Sequence, residues 1–145
     1  YPDAVAHLTT IWMLSPFSTE TGGTLIVPGS HRSNNNPTGE MGIDPLAPYP
    51  TEMHATGNPG SVLFFDSRLW HATATNLGTK PRIGVAVRFA PWWLNLDTLM
   101  PGSDIRNRMV DEVGAIEPEQ GLIPNEVFSN LPEKVKPLFR HWTMR

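Results

Sequence analysis

Two residues in this chain have side chains and a spacing that suit chemistry: His71 and, eleven positions later, Arg82. An imidazole in a strand serves as a metal ligand or a base, because its neutral ring offers one nitrogen lone pair. A guanidinium meets a carboxylate as a rigid two-pronged donor. Each residue also has an ordinary use, packing for a histidine that follows Trp70 and edge charge for an arginine at a strand start. The residue types alone leave both uses open.

The elements around them decide how the pair is held. Val62–Phe65 is a continuous apolar run and reads as a buried strand. From Arg82 to Phe89 the pattern has a period of two. Ile83, Val85, Val87 and Phe89 share one face, and Arg82, Gly84, Ala86 and Arg88 share the other. Two arginines separated by Gly and Ala make a poor solvent face but a good cavity wall, since small side chains leave room. Between His71 and Arg82, Asn76-Leu77-Gly78-Thr79-Lys80-Pro81 is turn chemistry. The whole therefore reads as a buried strand, a corner and then a β-hairpin that brings Arg82 back beside His71.

Composition limits the alternatives. With 145 residues, 39% of them hydrophobic, the chain supports one core, and residues 1–145 read as a single domain. The net charge is −3 with scattered basic residues, so nothing points to nucleic acid. No polybasic segment, signal peptide or long apolar run occurs, which sets the expectation of a soluble cytoplasmic protein with no membrane partner. Without cysteine, thiolate metal sites are excluded. Fifteen prolines and 12 glycines favour turns and ordered loops over a helical bundle. Oligomeric state is not legible.

Upstream, His7–Leu14 reads as a strand, followed by a turn at Ser18–Gly23 and a short strand at Thr24–Val27. Residues 33–59 form a long connection punctuated by prolines, with a short strand expected near Thr51–Ala55; such a loop suits a lid or a substrate-selecting wall. His54 within it reads as a surface residue. Downstream, Trp92-Trp93 is expected to cap a core. Asp104–Val113 reads as a helix with Ser103 as its N-cap, followed by short helices within Asn125–Trp142.

Two blocks carry a resemblance. Phe65-Asp66-Ser67-Arg68-Leu69-Trp70-His71, with Asn76 and Arg82, resembles the C-terminal signature of the phytanoyl-CoA dioxygenase family. Glu20-Thr21-Gly22-Gly23-Thr24-Leu25-Ile26-Val27-Pro28-Gly29-Ser30-His31-Arg32 resembles an earlier block of the same family, and the two occur in the family's order. The resemblance runs from about Thr9 to Phe89. It implies iron(II)- and 2-oxoglutarate-dependent oxygenase chemistry with oxygen and a small-molecule substrate. The implied fold is mainly β, a double-stranded β-helix (jelly roll, cupin-like), here partial, with short C-terminal helices.

By the same resemblance, His71 is the distal metal ligand and the catalytic histidine. Arg82 partners the tail carboxylate of 2-oxoglutarate, Thr73 adds a hydroxyl to that end, and Trp12 lies on a strand lining the pocket. His31 is expected to be structural. The family's other two ligands form a His-x-Asp pair, and no His-x-Asp occurs in this sequence. Asp3 and His7 have the wrong order and spacing. A jelly roll needs eight core strands, and about five are recognisable. The expectation is the C-terminal fragment of an oxygenase, inactive alone. The alternative is a non-catalytic β-helix module that binds a small carboxylate or serves a structural role.

Overall fold

The computed structural model describes residues 4–35, 37, 41–44, 47–100, 102–113, 121–139 and 142–143. They group into two compact units, Tyr1–Trp92 and Trp93–Arg145.

The first unit is built from two antiparallel three-stranded sheets. In the first sheet β1 (Leu8–Met13) is central, because its β-branched and aromatic residues fill both faces of a pleated strand. The second sheet centres on the short β2 (Thr24–Ile26) and pairs it with β3 (Met53–Ala55). β4 (Val62–Asp66) returns to the first sheet beside β1. β5 (His71–Thr73) crosses back to pair with β2. Finally β6 (Gly84–Phe89) pairs with the free side of β1. Apart from the β2–β3 pair, successive strands alternate between the two sheets, which is the winding of a mainly β, double-stranded β-helix. Among the described residues there are six strands, against about five recognisable in the sequence.

Strand pairing differs from expectation at one point. β5 and β6 are not a hairpin; they lie in different sheets. The turn at Asn76–Pro81 is real, with the Asn76 side chain donating to the Lys80 carbonyl at 2.8 Å and accepting from Gly78 N–H at 2.9 Å. Turn residues specify a reversal of the chain, but not which strand supplies the next hydrogen-bond partner. Residues 82 and 83 also precede the strand, which starts at Gly84.

Register fixes which faces meet. Thr9 lies opposite Phe65 and Arg88, and Met13 opposite Gly84, so these share one face of the first sheet with Ile11 and Ala86. In the second sheet His71, Ile26 and Met53 lie in one row and Thr73, Thr24 and Ala55 in another, all on one face. These are the facing sides. The Phe65 and His71 rings meet at 5.0 Å, and a Cβ at Gly57 would lie 2.7 Å from Met13 Sδ. Met13, Phe17 and Phe65 form the buried apolar core between the sheets, each side chain contributing about 1.5–3 kcal/mol.

The second unit holds α1 (Asp104–Val113), the short α2 (Asn125–Ser129) and 3-10 turns at Asp97–Leu99 and Lys136–Phe139. Ser103 caps α1 as expected, its Oγ accepting from Arg106 N–H at 3.1 Å. Trp92 and Trp93 are exposed and do not cap a core. Among the described residues no helix is long and apolar enough to cross a membrane.

Candidate functional site

His71 is positioned from behind. Ser30, buried in the turn after β2, accepts the Trp70 N–H at 2.8 Å, and Val27 N–H donates to the Trp70 carbonyl at 3.0 Å. Those two bonds lock the first residue before β5. The ring then lies 2.7 Å through Nδ1 from the Leu69 carbonyl. A carbonyl only accepts, so Nδ1 carries a proton, and in the neutral form of such a ring Nε2 holds the lone pair. An edge contact with Phe65 at an interplanar angle of 62° fixes the ring plane. That is the tautomer a metal ligand or a base requires.

Thr73, two residues on, shares the His71 face and lies opposite Thr24. Its side chain is exposed to the space between the sheets.

Arg82 arrives from the other sheet. Ile83 is pinned by Ser15, whose Oγ accepts the Ile83 N–H at 2.7 Å, and by Leu14 and Ser15 N–H groups donating to its carbonyl at 3.0 and 3.1 Å. The Arg82 guanidinium stacks 4.4 Å from the centre of the Phe17 ring. Phe17 bridges Gly57, two residues beyond Ala55, and Ala55 lies in the same row as Thr24 and Thr73. Arg82 thus lies against Phe17, the residue that bridges to Gly57. The N–H groups of a guanidinium can pair with a carboxylate. Gly84 makes this approach possible, because a Cβ there would meet Phe17 Cζ at 2.8 Å.

Trp12 does not join them. It lies opposite Val62 and Val85, on the face of the first sheet that carries Phe64 and points away from the second sheet. Its indole N–H donates to Thr10 Oγ1 at 3.1 Å on that same face. The expectation of one cavity holding His71, Arg82, Thr73 and Trp12 is corrected for Trp12. The physical reason is register: period-two alternation groups Trp12 with Thr10 but cannot say which group turns inward.

Three supporting residues had no site role in the sequence reading, and a fourth, Arg88, was expected in the cavity wall. Phe17 and Phe65 supply the ring contacts, Ser30 anchors Trp70, and Arg88 extends the small-residue wall on the inner face. Only Arg88 left a signal, through its alternation with Gly84 and Ala86. His54 differs from its reading as a surface residue. It is half-buried in β3, and its Nδ1 is buried without a partner among the described residues. His7 Nε2 is likewise buried and unpartnered there, and burial together with the Arg88 charge lowers its pKa, Asp66 opposing weakly. Asp3 lies outside the described residues.

At the far end of β4, Arg68 clamps Asp66 with an Nη2–Oδ2 contact of 2.7 Å and donates its own backbone N–H to Oδ1 at 2.9 Å. Those hydrogen bonds hold the Asp66 carboxyl below the usual range, against the opposing effect of its burial. The Asp66-Ser67-Arg68 turn is thereby stiffened just before His71.

Arg82 and Thr73 both carry donors of the kind a carboxylate accepts from. Among the described residues no group of three His, Cys, Asp or Glu side chains comes together that could hold a metal ion.

Comparison with known proteins agrees with the sheet arrangement. The family model for phytanoyl-CoA dioxygenase matches residues 1–84. The uncharacterized protein Rv1501 of Mycobacterium tuberculosis is 33% identical over 85 residues, 59% of this chain and 29% of that protein. The dioxygenase andF of Emericella variicolor is 32% identical over 80 residues, 54% of this chain and 25% of its own. The chain thus spans less than a third of the length of these relatives. Among solved structures, apo HygX from Streptomyces hygroscopicus superposes with a TM-score of 0.53 at 25% identity, covering 61% of this chain and 39% of HygX. HygX with nickel, 2-oxoglutarate and hygromycin B bound gives a TM-score of 0.49 at 22% identity, over 61% and 37% of the two chains. With a family match over more than half its length and the family's two-sheet winding, the chain belongs to the phytanoyl-CoA dioxygenase family.

Proposed function

We propose that this chain is the C-terminal part, residues 1–145, of an iron(II)- and 2-oxoglutarate-dependent oxygenase that hydroxylates a small organic molecule with oxygen. His71 supplies one metal ligand through Nε2. Arg82 binds the tail carboxylate of 2-oxoglutarate, and Thr73 donates its hydroxyl to the same group. The two remaining ligands, the His-x-Asp pair, come from residues outside this sequence. The observation that supports the reading is that Thr73 shares a face of β5 with His71, whose ring is held by the Leu69 carbonyl, with Arg82 resting on Phe17.

The test is made on the longer polypeptide in which a His-x-Asp pair precedes this chain. Succinate release and iron affinity are measured for the parent, His71→Ala and Arg82→Ala. The expected result is loss of succinate release in His71→Ala with weakened iron binding. Arg82→Ala keeps iron affinity and loses 2-oxoglutarate affinity by about 10- to 100-fold, the worth of a charged hydrogen-bonded pair. Equal activity in all three sinks the assignment.

A second reading is a non-catalytic module that binds a carboxylate at Arg82, and it fits the finding that no group of three His, Cys, Asp or Glu comes together among the described residues. It predicts glutarate binding that depends on Arg82 and is indifferent to iron and to His71.

A further inference from the structure

The second sheet has another face, and it is not bare. Alternation places Leu25 and Val27, His54 and Glu52, and Trp70 and Ala72 on the side opposite His71 and Thr73. Ile43, Asp44, Ala47, Tyr49 and Glu52 line that side together with Pro37, and between them and the sheet lies a cavity of about 300 Å³. Its floor is Leu25, Val27 and Ala72, with Trp70 at one end. Ile26 and His71, which the register groups with the inner face, also border it.

We propose that this cavity is a second ligand site, separate from the inter-sheet space, that takes a small organic cation with an apolar body. Three observations carry the chemistry. The floor is apolar, so a ligand must offer hydrocarbon to it. Tyr49 and Trp70 meet edge to face at 5.6 Å and form an aromatic wall, which attracts a cationic nitrogen through the ring quadrupole. Among the described residues the lining includes the acidic Asp44 and Glu52 and no lysine or arginine. Glu52 is also held in place, since its Oε2 accepts the Tyr49 N–H at 3.0 Å.

Dimensions set the ligand's length. Glu52 follows the β3 register one step beyond Ile26–Met53, opposite Val27, and the Trp70 carbonyl accepts from Val27 N–H on the other side. Glu52 and Trp70 are thus two strand spacings apart, about 10 Å. An ammonium beside Glu52 and Tyr49 with a hydrocarbon body laid across Val27 reaches Trp70. An arylalkylammonium of about ten heavy atoms has that length.

The test uses this chain in metal-free buffer, with calorimetric titration of 3-phenylpropylammonium, 3-phenylpropan-1-ol and 3-phenylpropionate. The ammonium is expected to bind at least about tenfold more tightly than the alcohol, and the carboxylate least. Glu52→Gln should weaken the ammonium about five- to tenfold and leave the alcohol unchanged. Ala72→Trp, which fills the floor, should remove binding of both. Glu52→Gln keeps the side-chain shape, so the charge test stands even if Ala72→Trp fails to fold. Equal binding of ammonium and alcohol, an unchanged ammonium affinity in Glu52→Gln, or no binding of any probe overturns the proposal. Arg82→Ala should leave ammonium affinity intact, and its loss there would show that the two sites are one. The oxygenase assignment can fail without touching these results, because neither iron nor 2-oxoglutarate takes part.

Discussion

The two sheets of the first unit reach order by different means. In the first sheet, strands of five and six residues pair along their whole length around β1, and apolar side chains do most of the holding. In the second sheet each strand has three residues, too few to bury much. Its strand ends are tied instead by side-chain hydrogen bonds, Ser30 to Trp70, Asn76 across its turn, and Thr21 with Ser18. The first sheet carries Arg82 at the entry to β6, and the second carries His71 and Thr73 on β5. A site shared by the two depends on their being held face to face, and Phe17 and Phe65 lie at the points where that happens. A long strand makes a frame; a short, tied strand sets the angle of one ring.

That contrast can be broken at the junction. Phe17→Ala should give the largest effect. It empties a fully buried position and removes the surface under Arg82, costing about 3–5 kcal/mol in chemical denaturation. A cost below 1 kcal/mol would mean that the sheets do not depend on this contact. Gly84→Val comes next, since its Cβ meets Phe17 Cζ at 2.8 Å; overpacking there should cost about 1–3 kcal/mol and lower carboxylate affinity with it.

Ser30→Ala sharpens the comparison from the other side. It leaves the Trp70 N–H without its partner at the start of a three-residue strand, for about 1–2 kcal/mol. The local signature should be faster amide exchange at Trp70 and Val27 than at Thr10 or Ile11. Uniform exchange in both sheets would remove the distinction.

The smallest effect is the pH dependence. The His7 pKa is lowered on folding, so the unfolded chain binds the proton more readily. Its contribution to stability is complete above about 6.5 and is lost as pH falls through the lower folded value. Asp66, also lowered, contributes above the ordinary carboxylate range and loses that contribution as pH falls through its own folded value. Denaturation midpoints should fall in two steps on acidification, the first absent in His7→Gln and the second in Asp66→Asn. A single step in all three proteins would refute the assignment.

Much of this was legible from residue order. β1, β4 and β6 are long enough for alternation to register, and the Pro28-Gly29-Ser30-His31 and Trp70-His71 blocks identify the family. Arg82, Gly84, Ala86 and Arg88 were legible as one face because period two survives any choice of partner. Local chemistry also determined the turn at Asn76–Pro81 and the Ser103 cap, since each is satisfied within a few residues.

Partners distant in sequence were decided only by the tertiary structure. β5 passes over the adjacent β6 to pair with β2, because hydrogen-bond donors and acceptors on a strand edge are alike and only packing of the sheets selects among them. The same selection turned Trp12 away from His71, buried a nitrogen of His54 and laid Arg82 on Phe17, a ring sixty-five residues earlier in the chain. Sequence determined which side chains share a face. Which faces meet depended on the core, because burial of apolar surface is non-directional and is settled by the whole fold at once.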